Sequence, residues 1–355
     1  MLLFLALSGA LWGIGHLMGT PKQARFIMIG LLYLAILAAH IVLPDGHPVR
    51  AMTGDNAAPW LVLGIIGLFV FFYRKLLARV KARAVAKEEA EESAVAAQQP
   101  KGTFSSTELE RYARHIVLRE LGGPGQKALK EARVLVLGAG GLGAPALQYL
   151  AAAGVGTIGV IDDDAVENAN LQRQVIHRDA DIGLPKVFSA QAAMEAQNPG
   201  VTVRPYHRRL TDEIAPDLFA DYDVILDGTD NFDTRYLANR VAVAAGLPLI
   251  SGALSQWEGQ LSVFDPAGGT PCYQCIFPEA PAPGLAPSCA EAGVLGPLPG
   301  VVGAMMAVEA IKIVTGAGAP LKGEMLIYDA LWGETRKIAL KRRADCPVCG
   351  SASQG

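Results

Sequence analysis

The chain has 355 residues, 18% of them charged, with a net charge of −3 and an isoelectric point near 6.1. That length holds one large domain or two ordinary ones, and the charge balance argues against a nucleic-acid partner. Hydrophobic residues make up 51% and mean hydropathy is +0.28, an excess concentrated in the first 75 residues.

Residues 2–18 and 26–44 contain no Asp, Glu, Lys or Arg, and a third apolar run covers roughly 60–75. About 20 residues cross a bilayer's hydrocarbon core, so the second run fits, the first is slightly short, and the third needs help from snorkelling Arg74 and Lys75. The first run has no basic segment before it and no small-residue cleavage site after it, so it does not read as a cleaved signal peptide. Buried core helices are the plain alternative, but the flanks argue otherwise. Lys22 and Arg25 separate the first two runs, and Arg74, Lys75, Arg79, Lys81 and Arg83 follow the third. The loop at 45–59 has no basic excess. These flanks predict three spans in an inner (cytoplasmic) membrane, with an outside N-terminus and everything after residue 75 in the cytoplasm.

Residues 76–103 read as a charged helical linker, rich in Ala, Glu and Lys. A helix is expected from about Glu108, capped by Ser106 or Thr107. The region 104–350 forms the second domain, and 351–355 is a tail.

Residues 133–138 (RVLVLG) predict a buried parallel strand. It leads into Gly138, Gly140, Gly141 and Gly143, then an apolar helix, then a second strand ending at Asp162, nineteen residues past Gly143. Such glycines let backbone N–H groups approach phosphate at a helix N-terminus, and the acid suits a ribose hydroxyl. This signal alone fits NAD as well as ATP. The following stretch weighs towards ATP: Asn170, Arg173, Gln174 and Lys186 come next, and a dinucleotide's diphosphate would not need the two further cations among them, Arg173 and Lys186. A later strand, YDVILDGTDN, is expected to bring Asp230 and Asn231 to the same sheet edge, where Asp230 suits Mg²⁺.

All five cysteines lie beyond residue 270. Cys272 and Cys275, with Cys346 and Cys349, form two C-x-x-C pairs that read as a metal site before they read as disulfides. Cys289 stands alone in a Pro/Gly-rich crossover loop, and an odd thiol fits a reducing compartment. A nucleic-acid zinc ribbon is disfavoured by the 70-residue gap between the pairs.

RYARHIVLRELGGPGQKAL, GAGGLG, IDDDAVENANLQRQ, GLPK, LDGTDN, SGAL, EGQ and the cysteine pairs stand in the order typical of the MoeB/ThiF/HesA group, which the chain resembles over roughly 104–350. These are bacterial relatives of ubiquitin-activating (E1) enzymes. The resemblance implies an α/β, Rossmann-like doubly wound E1-type ATP-binding domain with a structural zinc site, here preceded by N-terminal transmembrane helices. It implies ATP contacts at Gly138, Gly140, Gly141, Gly143 and Asp162. It extends them through Asn170, Leu171, Gln172, Arg173 and Gln174 to Lys186, Asp230 and Asn231. Arg173, Lys186 and Asp230 would be catalytic, and Arg114 matches an arginine that reaches into the partner protomer of a homodimer. Cys272, Cys275, Cys346 and Cys349 match the zinc ligands. Cys289 matches a cysteine that some relatives link covalently to the carrier.

The implied reaction is ATP-dependent adenylation of the C-terminal glycine of a small sulfur-carrier protein, with sulfur from a separate donor. SGAL, WEGQLSVF and CAEAGVLGP lie nearer the MoeB branch, which serves molybdenum cofactor synthesis through a MoaD-like carrier. A ThiF-like role with a ThiS-like carrier is the alternative within the class. A non-catalytic membrane scaffold and an NAD oxidoreductase are the rivals outside it.

Overall fold

The computed structural model describes residues 2–54, 56–98, 103–282 and 292–350, with backbone alone at 2, 78 and 82–98. The chain divides into two compact units, Met1–Pro100 and Lys101–Gly355.

In the first unit, α1 (Leu2–Leu17) and α2 (Lys22–Val42) are followed by α3 (Pro48–Thr53) and α4 (Ala58–Gln98). The sixteen residues of α1 reach about 24 Å, short of a hydrocarbon core of about 30 Å. By length and apolarity, α2 and the Ala58–Lys81 part of α4 could cross a membrane. The third apolar run and the charged stretch after it form one helix, because no Gly or Pro interrupts residues 68–99 and helix propensity carries through. The short α3 was not foreseen. Trp60 is buried at the centre of this unit, edge-on to Phe4 at 5.3 Å, and its carbonyl accepts from Tyr33 Oη at 2.7 Å.

The second unit opens with α5 (Ser106–Arg111), α6 (Ala113–Ile116) and α7 (Gly122–Glu131). Ser105 caps α5, not Ser106 or Thr107. The reason is reciprocal: Ser105 Oγ accepts from the Glu108 N–H while Glu108 Oε2 accepts from the Ser105 N–H, which fixes Glu108 as the third helical residue.

Then follow β1 (Arg133–Leu137), α8 (Gly143–Ala153), β2 (Thr157–Ile161), α9 (Lys186–Gln197), β3 (Thr202–Tyr206), α10 (Ala215–Ala220), β4 (Val224–Asp227) and α11 (Phe232–Ala245). The chain continues through β5 (Leu249–Leu254), β6 (Glu258–Phe264), α12 (Tyr273–Ile276), α13 (Pro297–Thr315), β7 (Glu324–Asp329) and β8 (Glu334–Ala339). One sheet results, in the order β3-β2-β1-β4-β5-β6-β7-β8. The first five strands are parallel and the last three pair antiparallel.

Alternation along β1 sends Val134 and Val136 to one face and Leu135 and Leu137 to the other, and each pair joins a separate hydrophobic cluster. Residues of α8, α9 and α13 build the first cluster, while Phe219 of α10 and Leu237 of α11 belong to the second. Helices therefore cover both faces of the parallel sheet, the doubly wound arrangement. Helix α13 is as long and apolar as a membrane span, yet Met306, Ala307 and Ala310 are buried in the first cluster, which accounts for its composition. It approaches α8 closely at Gly303, where an added Cβ would lie 2.3 Å from the Leu142 carbonyl oxygen.

Candidate active site and metal centre

A cavity of about 1020 Å³ opens at the carboxyl ends of β1, β2, β4 and β5. Its wall begins with the glycine loop between β1 and α8. Gly138 takes φ 89°, and an added Cβ at Gly143 would sit 1.9 Å from the Gly138 carbonyl oxygen, so no side chain fits there. Gly138, Gly140 and Gly141 line the cavity. Gly143 supports the turn from outside it.

Asp162 follows β2. Its Oδ2 accepts from the Ala139 N–H at 2.8 Å and its Oδ1 from the Asp164 N–H at 2.8 Å. Burial pushes its carboxyl above the ordinary value, opposed by Lys186 and by those two N–H groups. Lys186 begins α9, is buried, and donates to Asp164 Oδ2 at 2.6 Å. A cation is thus held in the cavity by an exposed carboxylate. Arg173 also lines it, and Arg173 Nη2 donates to Asn170 Oδ1 at 3.0 Å. Gln174 is buried on the cavity wall with no partner for its Oε1 among the described residues.

On the opposite side, the loop after β4 presents Asp230, which is exposed, and Asn231. Asn231 Oδ1 accepts from the Thr234 N–H at 2.8 Å and so caps α11. Buried Arg235 holds this loop: it donates to the carbonyls of Thr229 and Gly252 and to Ser251 Oγ, and it pairs with Asp227.

The sequence-derived residues sort themselves clearly. Gly138, Gly140, Gly141, Asp162, Arg173, Gln174, Lys186, Asp230 and Asn231 meet around one cavity. Asn170 acts behind Arg173. Leu171 and Gln172 are not on the wall, and an added Cβ on Gly296 would meet Gln172 Oε1 at 2.5 Å, which places Gln172 against the start of α13. Arg114, on α6, is exposed and outside the cavity of its own chain. Cys289 lies outside the described residues. Sequence reasoning missed Arg208 and Arg209 on the wall, the Asp227–Arg235 pair, and His177, whose Nε2 donates to the Ala139 carbonyl at 2.9 Å.

Away from the cavity, Cys272 caps α12, Cys275 lies within it, and Cys346 and Cys349 meet them from the C-terminal segment. The sulfurs are 3.6 Å apart for Cys272–Cys346, 3.4 Å for Cys275–Cys349 and 3.9 Å for Cys272–Cys275. Tetrahedral zinc with Zn–S bonds of about 2.3 Å separates its ligands by about 3.8 Å, so the set fits. All four thiols are free and buried. Burial pushes Cys272 and Cys275 up. Burial also opposes ionisation of Cys346, but the N–H groups of Cys349 and Val348 bring it down to about 7. The Arg343 N–H donates to Cys275 Sγ at 3.4 Å, as second-layer support for a thiolate.

Residues 112–348 match the ThiF family. The chain is 50% identical over 251 residues to the sulfur carrier protein adenylyltransferase of Thermus thermophilus, covering 70% of this chain and 93% of that one. It is 49% identical to the SAMP-activating enzyme E1 of Haloferax volcanii, over 70% of this chain and 91% of that one. The adenylyltransferase and sulfurtransferase MOCS3 of Mus musculus is 48% identical, but only 55% of its length is matched. A crystal structure of E. coli MccB superposes with a TM-score of 0.59 at 24% identity, covering 71% of this chain and 75% of that one, and so shares the fold. With a doubly wound sheet, a glycine loop and convergent Arg173, Lys186 and Asp230, this chain belongs to the ThiF family of E1-like adenylyltransferases.

Proposed function

We propose that the enzyme adenylates the C-terminal glycine carboxylate of a small ubiquitin-fold sulfur-carrier protein. The observation that supports this most is the convergence of two cations, Arg173 and Lys186, and an exposed carboxylate, Asp230, on one glycine-lined cavity. A carrier carboxylate oxygen attacks the α-phosphorus of ATP. The new O–P bond forms as the bond to the bridging oxygen breaks, and its electron pair leaves with pyrophosphate. No protein nucleophile is required. The chain supplies position and charge: the glycine-loop amides and Arg173 face the phosphates, Lys186 leaves Asp164 for them, and Asp230 would hold Mg²⁺. The ion adds further charge neutralisation when bound.

The carrier is MoaD-like, in molybdenum cofactor synthesis. This reading rests on the SGAL, WEGQLSVF and CAEAGVLGP segments, and a ThiS-like carrier is the competing partner. The enzyme works as a homodimer, with exposed Arg114 completing the partner's site. Cys272, Cys275, Cys346 and Cys349 hold a structural zinc. The apolar helices anchor the chain in the inner membrane, with the catalytic unit in the cytoplasm.

Carrier-dependent ATP–pyrophosphate exchange by the full chain tests the function, with MoaD-like and ThiS-like carriers run in parallel. Exchange with the first alone supports the proposal in full. Exchange with the second alone reassigns the pathway, and none with either overturns carrier adenylation.

A further inference from the structure

His177 is buried, titratable and unused by the chemistry above. It lies between Arg173 and Lys186 in sequence and contacts both the glycine loop and α9. Its Nε2 faces the Ala139 carbonyl oxygen at 2.9 Å. A carbonyl only accepts, so Nε2 carries a proton. Ala139 is fully buried, and its N–H is bound by Asp162 Oδ2 at 2.8 Å, so this residue of the loop is gripped at both ends.

The peptide between Ala139 and Gly140 is planar and trans, so its C=O and N–H point in opposite directions. Holding the Ala139 oxygen away from the cavity therefore turns the Gly140 N–H the other way, and Gly140 is on the cavity wall.

The other ring nitrogen, Nδ1, is 2.8 Å from Ser189 Oγ, and Ser189 Oγ is 2.7 Å from Asp181 Oδ2. Ser189 is buried on α9, three residues after Lys186. One imidazole thus joins the loop that faces phosphate to the helix that presents the buried cation.

We propose that His177 is a positioning residue for the nucleotide: it aims the Gly140 amide into the cavity and ties the glycine loop to α9 and Lys186. The inference rests on the cavity being the ATP site. Burial holds the imidazole below its ordinary value, helped by Lys186 and opposed by the Ala139 carbonyl, Asp162 and Asp181. The proton on Nε2 keeps the bond to Ala139, while the single hydroxyl proton of Ser189 goes to Asp181 Oδ2 and Nδ1 lies against the Ser189 oxygen.

The test measures ATP affinity, thermal midpoint and the separate KM values for ATP and carrier in the full chain. Wild type is compared with His177→Ala, His177→Gln and Ser189→Ala. Leaving the buried Ala139 oxygen unpaired is expected to weaken ATP binding about tenfold in His177→Ala, with the carrier KM unchanged. Gln carries an N–H that can reach the same oxygen, so His177→Gln should recover to within about threefold of wild type. Ser189→Ala keeps the Ala139 bond and loses the tie to α9, and should weaken ATP binding about threefold with a modest fall in midpoint, since buried Nδ1 loses its partner.

ATP affinity equal to wild type in Ser189→Ala and His177→Ala overturns the role of His177. So does a His177→Gln variant with a wild-type midpoint and no recovery of affinity. If His177→Ala does not fold, Ser189→Ala and His177→Gln decide alone. A wild-type chain that binds no ATP overturns the reading of the cavity itself, a different result from ATP binding that ignores these substitutions.

Discussion

Arg235 of α11 and Asp227 at the end of β4 face each other at 3.4 Å, with side chains only 7% and 1% exposed. The same guanidinium donates to the Thr229 carbonyl, and Asp227 Oδ1 accepts from the Thr229 N–H and hydroxyl. The loop that presents Asp230 is therefore fastened at Thr229 by a buried charge pair whose arginine also borders the cavity.

Removing one partner of such a pair leaves the other charge buried and uncompensated. Arg235→Leu is expected to destabilise the catalytic unit by about 3–5 kcal/mol. Urea unfolding with an unchanged m-value would measure it. A loss under about 1 kcal/mol would mean that the Asp227 carboxylate finds another partner in place of the guanidinium.

Asp230 contrasts with that pair because it is exposed and, among the described residues, no hydrogen bond or ion pair holds its carboxylate. Asp230→Ala should lower pyrophosphate exchange by about 100-fold or more while the thermal midpoint stays put. Normal exchange would remove Asp230 from the metal-holding role.

What could be read from sequence was what is encoded locally. The β1–glycine loop–α8–β2 unit follows from hydrophobic runs and glycines within about thirty contiguous residues, and the cysteine pairs announce themselves by spacing. The Asp227–Arg235 pair is different. It depends on β4 lying beside β5 and on α11 packing back over both, so nothing near Arg235 marks it as buried. His177 stands in a polar loop with no period of its own. The antiparallel β8, with every residue exposed, has no apolar alternation to betray a strand. The onset of charge at Arg74 resembled a boundary because composition changes there, whereas helix continuity depends on propensity, which does not change.

His177 also makes a pH prediction. Its folded pKa lies below the ordinary 6.5 because of burial, so the unfolded chain takes up the proton first as pH falls. The stability it contributes is present above that value and is lost as pH drops through 6.5 towards the lowered folded value. Asp162, raised by burial, works in the opposite sense and at lower pH. Both chains share Asp162, so the stability difference between wild type and His177→Gln isolates the histidine. That difference should shift against wild type from about pH 7.5 to about pH 5 in urea titrations. A pH-independent difference would contradict a depressed His177.

The four cysteines join the α12 region to the chain's last described residues, across 70 intervening positions. Four buried thiols in this arrangement need a divalent cation before all can ionise, so metal binding should contribute to folding. Chelation under reducing conditions is expected to lower the thermal midpoint of the catalytic unit, in step with zinc release measured by a colorimetric indicator. A midpoint unmoved by confirmed zinc loss would show that the cluster holds without metal.

The two units also predict a separation of roles. Cavity and cysteine cluster both lie within Lys101–Gly355, and the Thermus thermophilus relative matches over 93% of its own length across only 251 residues of this chain. A chain lacking residues 1–100 should therefore stay soluble and keep its ATP and carrier KM values within about threefold, since no cavity residue is removed. The full chain should sediment with membranes and resist extraction by high salt, because burial of α2 and the first part of α4 in lipid is not an electrostatic attachment. Release of the full chain by salt alone would refute the anchor. Lost carrier turnover in the truncated chain, with ATP binding intact, would instead show that the apolar unit takes part in delivering the carrier.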